Sequence, residues 1–252
     1  MDIATLIGLI VGFGAVIGGQ VLEGGHISAL IQPTAAMIVL GGTSGATLIS
    51  FPMKTVLTAL RDAKTALFFT EYDPETTIRL IAGFAETARR NGLLVLETER
   101  KGVKDRFINK ALTLLVDGAE ERRFIEFMEI ELNTFEEEGK ASAEVFEAAG
   151  GFAPTIGIIG AVLGLIHVMN NLSDTSALGA GIAVAFVATI YGLMTANIVC
   201  IPISTKLKKR MKEQLLVKEI AYQGLLSVQQ GENPRLIVEK LHGYHRQRMA
   251  DE

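Results

Sequence analysis

The chain has 252 residues, of which 49% are hydrophobic and 21% are charged, and its formal net charge is −4. A net negative charge gives no basis for nucleic acid binding, and a single cysteine, Cys200, excludes an intrachain disulfide. Apolar and charged residues are segregated along the chain, which indicates membrane spans that alternate with polar blocks.

Four stretches lack Asp, Glu, Lys and Arg and are long enough to cross a membrane. At about 1.5 Å per residue, each covers the ~30 Å hydrocarbon layer as a helix. The predicted spans are residues 3–22, 29–51, 150–171 and 177–202. Short connections pair them into two transmembrane hairpins, at 1–52 and 150–203. The N-terminal run has no basic start, so it is not predicted to be a cleavable signal peptide.

The hairpins leave two polar blocks, at 53–149 and 204–252, in which the sequence predicts helices only. Asp73 followed by Pro74 is typical of a helix start, and Asn91-Gly92 is typical of a helix end. The fold class is therefore predicted to be an all-α membrane protein, with four transmembrane helices and a helical cytoplasmic domain.

Basic residues predict the orientation of the spans. The two short connections contain no Lys or Arg, whereas Lys54, Arg61 and Lys64 follow the second span and five further basic residues follow the fourth. Because Lys and Arg are enriched in cytoplasmic loops, both termini and the large loop are predicted to be cytoplasmic.

Ion transport is one function that the spans could support. Ala161 and Thr189 each lie about 11 residues from the outer turn, or ~16 Å, near the membrane midplane. Pro154 and Pro202 each remove an N–H and free a backbone carbonyl at membrane depth, although such prolines can also simply kink a helix. No span contains a carboxylate, so a partner would have to supply the acid that ion relays use.

Two further patterns have alternative interpretations. Gly42-Thr43-Ser44-Gly45 matches the motif of intramembrane serine proteases, with His167 as a conceivable base, but glycine and serine also serve as packing residues in spans. Four charged residues flank a predicted helix break in the first polar block, and without other information they form a solvated surface. These residues are Arg89, Arg90, Glu97 and Glu99.

Several motifs resemble the MotA/PomA family, the A subunits of bacterial flagellar stators, which are distantly related to the ExbB/TolQ energisers. The resemblance covers essentially the whole chain. The motifs are Ala153-Pro154-Thr155-x-Gly157-x-x-Gly160 with Gly164-Leu165, Ala188-Thr189-x-Tyr191-Gly192 with Asn197 and Pro202, and Gly231-x-Asn233-Pro234-Arg235.

The resemblance implies a non-enzymatic protein of the bacterial inner membrane, without a cofactor and in contact with membrane lipid. It implies a pentamer around a dimer of a MotB-like partner, which supplies the ion-binding aspartate and a peptidoglycan-binding domain. Ion flow would turn the ring and drive the rotor protein FliG. The alternative within the superfamily is an ExbB/TolQ-type energiser of outer-membrane transport, against which the fourth span argues.

The family's functional residues map onto this sequence by local alignment. Arg89 and Glu97 match the positions that contact the rotor, with Arg90 and Glu99 beside them, and the resemblance places Pro154, Pro202 and Thr189 in the ion gate. At Ala161 and Ala188, relatives that use sodium resemble each other in carrying threonine. Two missing hydroxyls favour protons as the transported ion, with Na⁺ as the alternative.

Overall fold

The computed structural model of the protein describes residues 3–67, 73–170, 172 and 175–250. All regular structure in these ranges is helical, which confirms the predicted all-α fold. Among the described residues, four helical segments are long and apolar enough to cross a membrane: Ile3–Leu22, Ile27–Ser50, Glu121–Asn170 and Leu178–Gln229.

The chain divides into two compact units. The membrane unit comprises Met1–Phe69 with Gly139–Lys208, and the polar unit comprises Thr70–Glu138 with Lys209–Glu252. These units are divided by packing, whereas the predicted boundaries at residues 53 and 150 mark the ends of membrane spans. The helical residues directly after the second span and before the third pack with the membrane unit. The long helices of the third and fourth spans contribute residues to both units.

The first hairpin of the membrane unit is less regular than the sequence predicts. Its elements are α1 (Ile3–Leu22), a 3₁₀ turn (Ile27–Leu30), α2 (Pro33–Ala36), a π-helical segment (Met37–Gly41), α3 (Gly42–Ser50) and α4 (Met53–Leu67). The predicted second span, residues 29–51, is therefore interrupted. Ile31 and Gln32 are extended, and the helix begins at Pro33 because proline is favoured at the first helical position.

The second hairpin consists of long helices. α8 (Glu121–Asn170) passes through Pro154 without interruption, and α9 (Thr175–Met194) leads through a π-helical segment (Thr195–Cys200) into α10 (Ile201–Gln229). α9 begins two residues before the predicted start at 177. Residues 171, 173 and 174 of the predicted turn lie outside the described residues.

The polar unit adds α5 (Pro74–Asn91), a 3₁₀ turn (Leu93–Val95), α6 (Leu96–Arg100), α7 (Arg106–Val116) and α11 (Pro234–Ala250) to parts of α8 and α10. The Asp73 carboxylate accepts hydrogen bonds from the N–H groups of Glu75 and Thr76, and so caps α5 as predicted. Gly92, at φ 83°, ends that helix in a backbone conformation that favours glycine.

One apolar core holds the polar unit together. Phe124 and Met128 of α8 are fully buried there. They pack with residues of the other helices, including Ile81, Leu112, Ile220, Leu225, Ile237 and Leu241. Because α5, α7, α8, α10 and α11 all contribute to this core, burial of apolar surface fixes the positions of the exposed residues on α5 and α6.

Candidate functional site

The third and fourth spans approach each other backbone to backbone. A Cβ atom added to Gly192 of α9 would lie 2.6 Å from the carbonyl oxygen of Ala153 and 3.2 Å from the Cα of Pro154. A Cβ atom added to Gly157 of α8 would lie 2.9 Å from the carbonyl oxygen of Ala188. Backbone atoms cannot move aside as a flexible side chain can, so both positions require glycine.

The close contact continues along the hairpin. A Cβ atom on Gly164 would lie 2.8 Å from the carbonyl oxygen of Gly181, and one on Gly160 would lie 2.7 Å from the Cβ of Ala188. Contacts at successive turns of α8 fix the rotation and the register of α9 against it.

Three of the predicted ion-path residues belong to this contact. Thr189 is half-buried, and its Cα lies 3.5 Å from the position of a Cβ on Gly157. Pro154, Gly157 and Ala161 share one face of α8, because they are three and seven residues apart. The Thr189 hydroxyl donates a hydrogen bond to the carbonyl oxygen of Ala185 at 3.2 Å, so its oxygen can still accept or coordinate.

Pro202 lies apart from this contact. It is exposed and lies two residues after the π-helical segment. Its neighbour Ile201 has a Cγ1 atom that would lie 2.9 Å from a Cβ added to Gly150. Proline removes a donor from the helical ladder, and π-helical turns are frequent at functional sites. The predicted loosening of the backbone is therefore seen before Pro202, whereas the helix around Pro154 stays regular.

Tyr191 is a structural residue that the sequence analysis quoted only as part of a motif. Its hydroxyl donates to the carbonyl oxygen of Leu30 at 2.5 Å and accepts a hydrogen bond from the N–H of Gln32 at 3.3 Å. These are backbone groups of the extended break in the second span, which would otherwise lack helical partners in an apolar layer. Tyr191 thus holds the second span against the fourth by hydrogen bonds. In the sequence, the sign of such a role was a lone tyrosine in an apolar run.

The four predicted rotor-contact residues lie on one bend of the polar unit. Arg89 and Arg90 occupy the last turn of α5, while Glu97 and Glu99 occupy the first turn of α6. The turn at Gly92 separates the two pairs, and all four side chains are exposed. The bend therefore presents two cations and two anions side by side to solvent.

Arg235 also lies at this surface, although the sequence did not predict it as a site residue. It lines a cavity of about 190 Å³ together with Glu86, Arg89 and Arg90. The Asn233 side chain accepts a hydrogen bond from the N–H of Arg235, which caps α11 and places Arg235 at its start. The basic part of the bend thus includes three arginines from two helices.

Comparisons with known proteins agree over both units. A family model described as the MotA/TolQ/ExbB proton channel family matches residues 99–220, and one described as Motility protein A N-terminal matches residues 6–92. The chain is 38% identical to Motility protein A of Bacillus subtilis (strain 168), over 97% of this chain and 91% of that protein. It is 36% identical to Chemotaxis protein PomA of Vibrio alginolyticus, over 97% of this chain and 95% of that protein.

Solved structures give the same result. The chain superposes on the structure of C. jejuni MotAB with a TM-score of 0.91 and 30% identity, covering 97% of this chain and 96% of that chain. It superposes on the flagellar MotAB stator complex from Bacillus subtilis with a TM-score of 0.85 and 36% identity, covering 96% and 95%.

These relatives are ion channels and torque generators, so the chain is not an enzyme, and the protease interpretation of Ser44 and His167 is not supported. The match to the motility N-terminal model also makes the ExbB-type alternative the less supported one. The chain belongs to the motility protein A family, within the MotA/TolQ/ExbB proton channel family, and is a multi-pass membrane subunit that generates torque in a flagellar stator.

Proposed function

We propose that the chain forms a rotating ring around a dimer of a MotB-like partner in the bacterial inner membrane. Both termini and the polar unit lie in the cytoplasm, and membrane lipid surrounds the ring. Similar solved structures of C. jejuni MotAB and of the Bacillus subtilis MotAB stator complex support a partner of this kind. The positive-inside pattern supports the orientation.

One observation carries the proposal: the contact between α8 and α9 is built for an ion path but lacks an acid. Glycine packing brings Pro154, Thr189 and the face of Ala161 together, while the four spans contain no carboxylate. An ion that crosses the hydrocarbon layer needs a titratable or coordinating group there. The partner's aspartate fills this role, and the partner is anchored to peptidoglycan so that the ring turns.

The ring is a pentamer that this subunit forms from its own contacts. No buried acid has to be neutralised by the partner before the spans can pack, and their glycines allow close helix contact. Mass photometry of the subunit alone, in several detergents, tests the proposal. Five copies are expected, and a monodisperse monomer in every detergent would contradict it.

The charged bend is the surface that meets the rotor protein FliG. Arg89, Arg90, Glu97 and Glu99 are exposed on a rigidly packed unit, and paired charges of both signs give a partner a defined register. Each exposed pair contributes only ~0–1 kcal/mol, so the contact depends on the set and tolerates the loss of a single member.

Protons are the transported ion in this proposal. Sodium exchanges its water for several oxygen ligands, and Ala161 and Ala188 offer no side-chain oxygen beside Thr189. Ala188 is fully buried in the span contact, so its replacement by threonine in a sodium-driven protein would add a ligand inside the packing. Sodium is the alternative, and the 36% identity to PomA is compatible with it.

Swimming speed against external sodium at fixed pH tests the ion. Cells that lack their own stators carry this chain with its partner, and speed is measured with and without a protonophore. Proton use predicts a speed that is independent of sodium and collapses with the protonophore. A speed that rises steeply with sodium and survives the protonophore would overturn the choice of ion but not the stator function.

A further inference from the structure

A short amphipathic helix follows the second span directly. α3 ends at Ser50, Phe51 is extended with φ −130° and ψ 146°, and α4 begins at Met53. Only Phe51 and Pro52 separate the two helices, so α4 starts at the boundary of the hydrocarbon layer and is not a continuation of α3. Its position is therefore that of an interfacial helix.

The outward face of α4 combines apolar and basic residues. Met53, Leu57 and Leu60 are 59%, 59% and 53% exposed, and they lie on one face because they are four and three residues apart. Lys54, Arg61 and Lys64 are also exposed. At about 100° per residue, Lys64 lies among the apolar residues and the other two lie beside them.

The opposite face of α4 turns towards the protein. Ala59 is fully buried, and the Asp62 carboxylate accepts a hydrogen bond of 2.8 Å from the hydroxyl of Ser142 on α8. Asp62 is the only acid between residues 53 and 64. The acid of this segment thus lies on the opposite face and bonds to Ser142, whereas the exposed face carries positive charge.

We propose that this outward face binds anionic lipid. The three basic residues contact phosphate headgroups, while Met53, Leu57 and Leu60 enter the boundary of the acyl chains. In a ring of identical subunits a neighbouring copy would meet this face with a different surface, so contact with a second copy is the alternative outcome of the test. The proposal rests on the membrane placement of the spans. It goes beyond the stator function, which does not require a particular class of lipid.

A fluorescent probe on α4 tests the proposal in the full chain. Cys200→Ala removes the native thiol, and Leu57→Cys carries a polarity-sensitive dye, acrylodan. The protein is reconstituted in vesicles of phosphatidylcholine alone or with increasing phosphatidylglycerol. We expect the emission to shift to the blue as phosphatidylglycerol increases, and to return towards the red at high salt, because salt screens exposed charges.

Two triple variants give the comparison. The first combines Lys54→Gln, Arg61→Gln and Lys64→Gln. Each neutralised charge should raise the phosphatidylglycerol content needed for the blue shift by roughly fivefold, so the triple variant should show no shift. The matched control neutralises Lys101, Lys104 and Arg122, which are exposed on the polar unit, and should keep the shift. Equal emission in both lipids would overturn the proposal.

A blue emission that is already complete in detergent and does not change with lipid would also overturn it, since a second copy would then cover α4. Swimming and oligomer mass are measured separately, so the stator function stands or fails independently of this result.

Discussion

Single glycines set the geometry of the proposed ion path. Gly157 and Gly192 face backbone atoms of the other helix at distances that no Cβ can occupy. The face of α8 that carries Pro154 and Ala161 therefore meets α9 next to Thr189. Pro154 and Thr189 lie close together because these small residues let the two backbones approach.

Gly192→Ala should disrupt this contact. The added methyl group would meet the carbonyl oxygen of Ala153 at 2.6 Å, and overpacking of this kind costs about 1–3 kcal/mol. We expect a lower melting temperature in detergent and impaired swimming at normal expression.

The control is Gly179→Ala in the same helix, where nothing lies within 4 Å of an added Cβ. It should be neutral or slightly stabilising because alanine favours helix. Equal melting temperatures for the two variants would show that the close contact does not support the fold.

The sequence predicted close helix contact at the glycines of the third span, but it could not predict which residues of the fourth span they would meet. Spacing identifies candidate faces, whereas the pairing of Gly157 with Gly192 depends on the register of two helices. Tyr191 was missed for a similar reason. Its role depends on the extended backbone at Ile31 and Gln32, and that break is visible only in the folded second span.

At the scale of the element, helix ends were more predictable than helix interiors. Asp73, Gly92 and Asn233 act locally, through side chains or backbone angles of the residues that carry the signal. The π-helical segment before Gly42 carries no comparable local signal and depends on packing against neighbouring helices. The segment before Ile201 has one local signal, the donor that Pro202 lacks.

Lys218 joins three helices of the polar unit. Its ammonium group lies 4.8 Å from the ring centroids of both Phe107 on α7 and Phe135 on α8. Burial lowers the pKa of Lys218 below its ordinary value of 10.5, and the nearby Asp105 and Glu131 partly oppose this effect. Lys218 therefore pays a desolvation cost that its aromatic and acidic neighbours offset in part.

The lowered pKa of Lys218 predicts a pH dependence. Between that pKa and 10.5 the folded state binds fewer protons than the unfolded state, so the free energy of unfolding rises with pH in this window. Wild type should therefore gain stability relative to Lys218→Gln as the pH increases towards 10.5.

Thermal unfolding of the full chain, from pH 8 upwards, measures this difference. Lys101→Gln, at an exposed position, controls for general changes in surface charge. Parallel pH profiles for wild type and Lys218→Gln would contradict the prediction.

In the whole molecule, the residues proposed for conduction and those proposed for torque lie in different units. The membrane unit holds Pro154, Thr189 and the glycine contact, and the polar unit holds the charged bend. Because different units carry the two sets of residues, changes at the bend should leave the ion path intact. Composition and span count predicted this division, while the family resemblance was needed to assign a role to each part.

A charge exchange on the bend tests whether torque depends on the bend while conduction does not. In a host without stators, the chain with Arg89→Glu and Glu97→Arg is expressed together with its MotB-like partner. The exchange keeps the net charge but reverses the charge pattern that is proposed to face the rotor. The control exchanges Arg122 and Glu126, which are exposed on α8, and should swim normally.

Rotation of tethered cells and ion conduction are then measured on the same strain. The account predicts that conduction is unchanged while rotation is abolished. Normal rotation of the Arg89→Glu, Glu97→Arg variant at normal expression, or loss of conduction together with rotation, would contradict it.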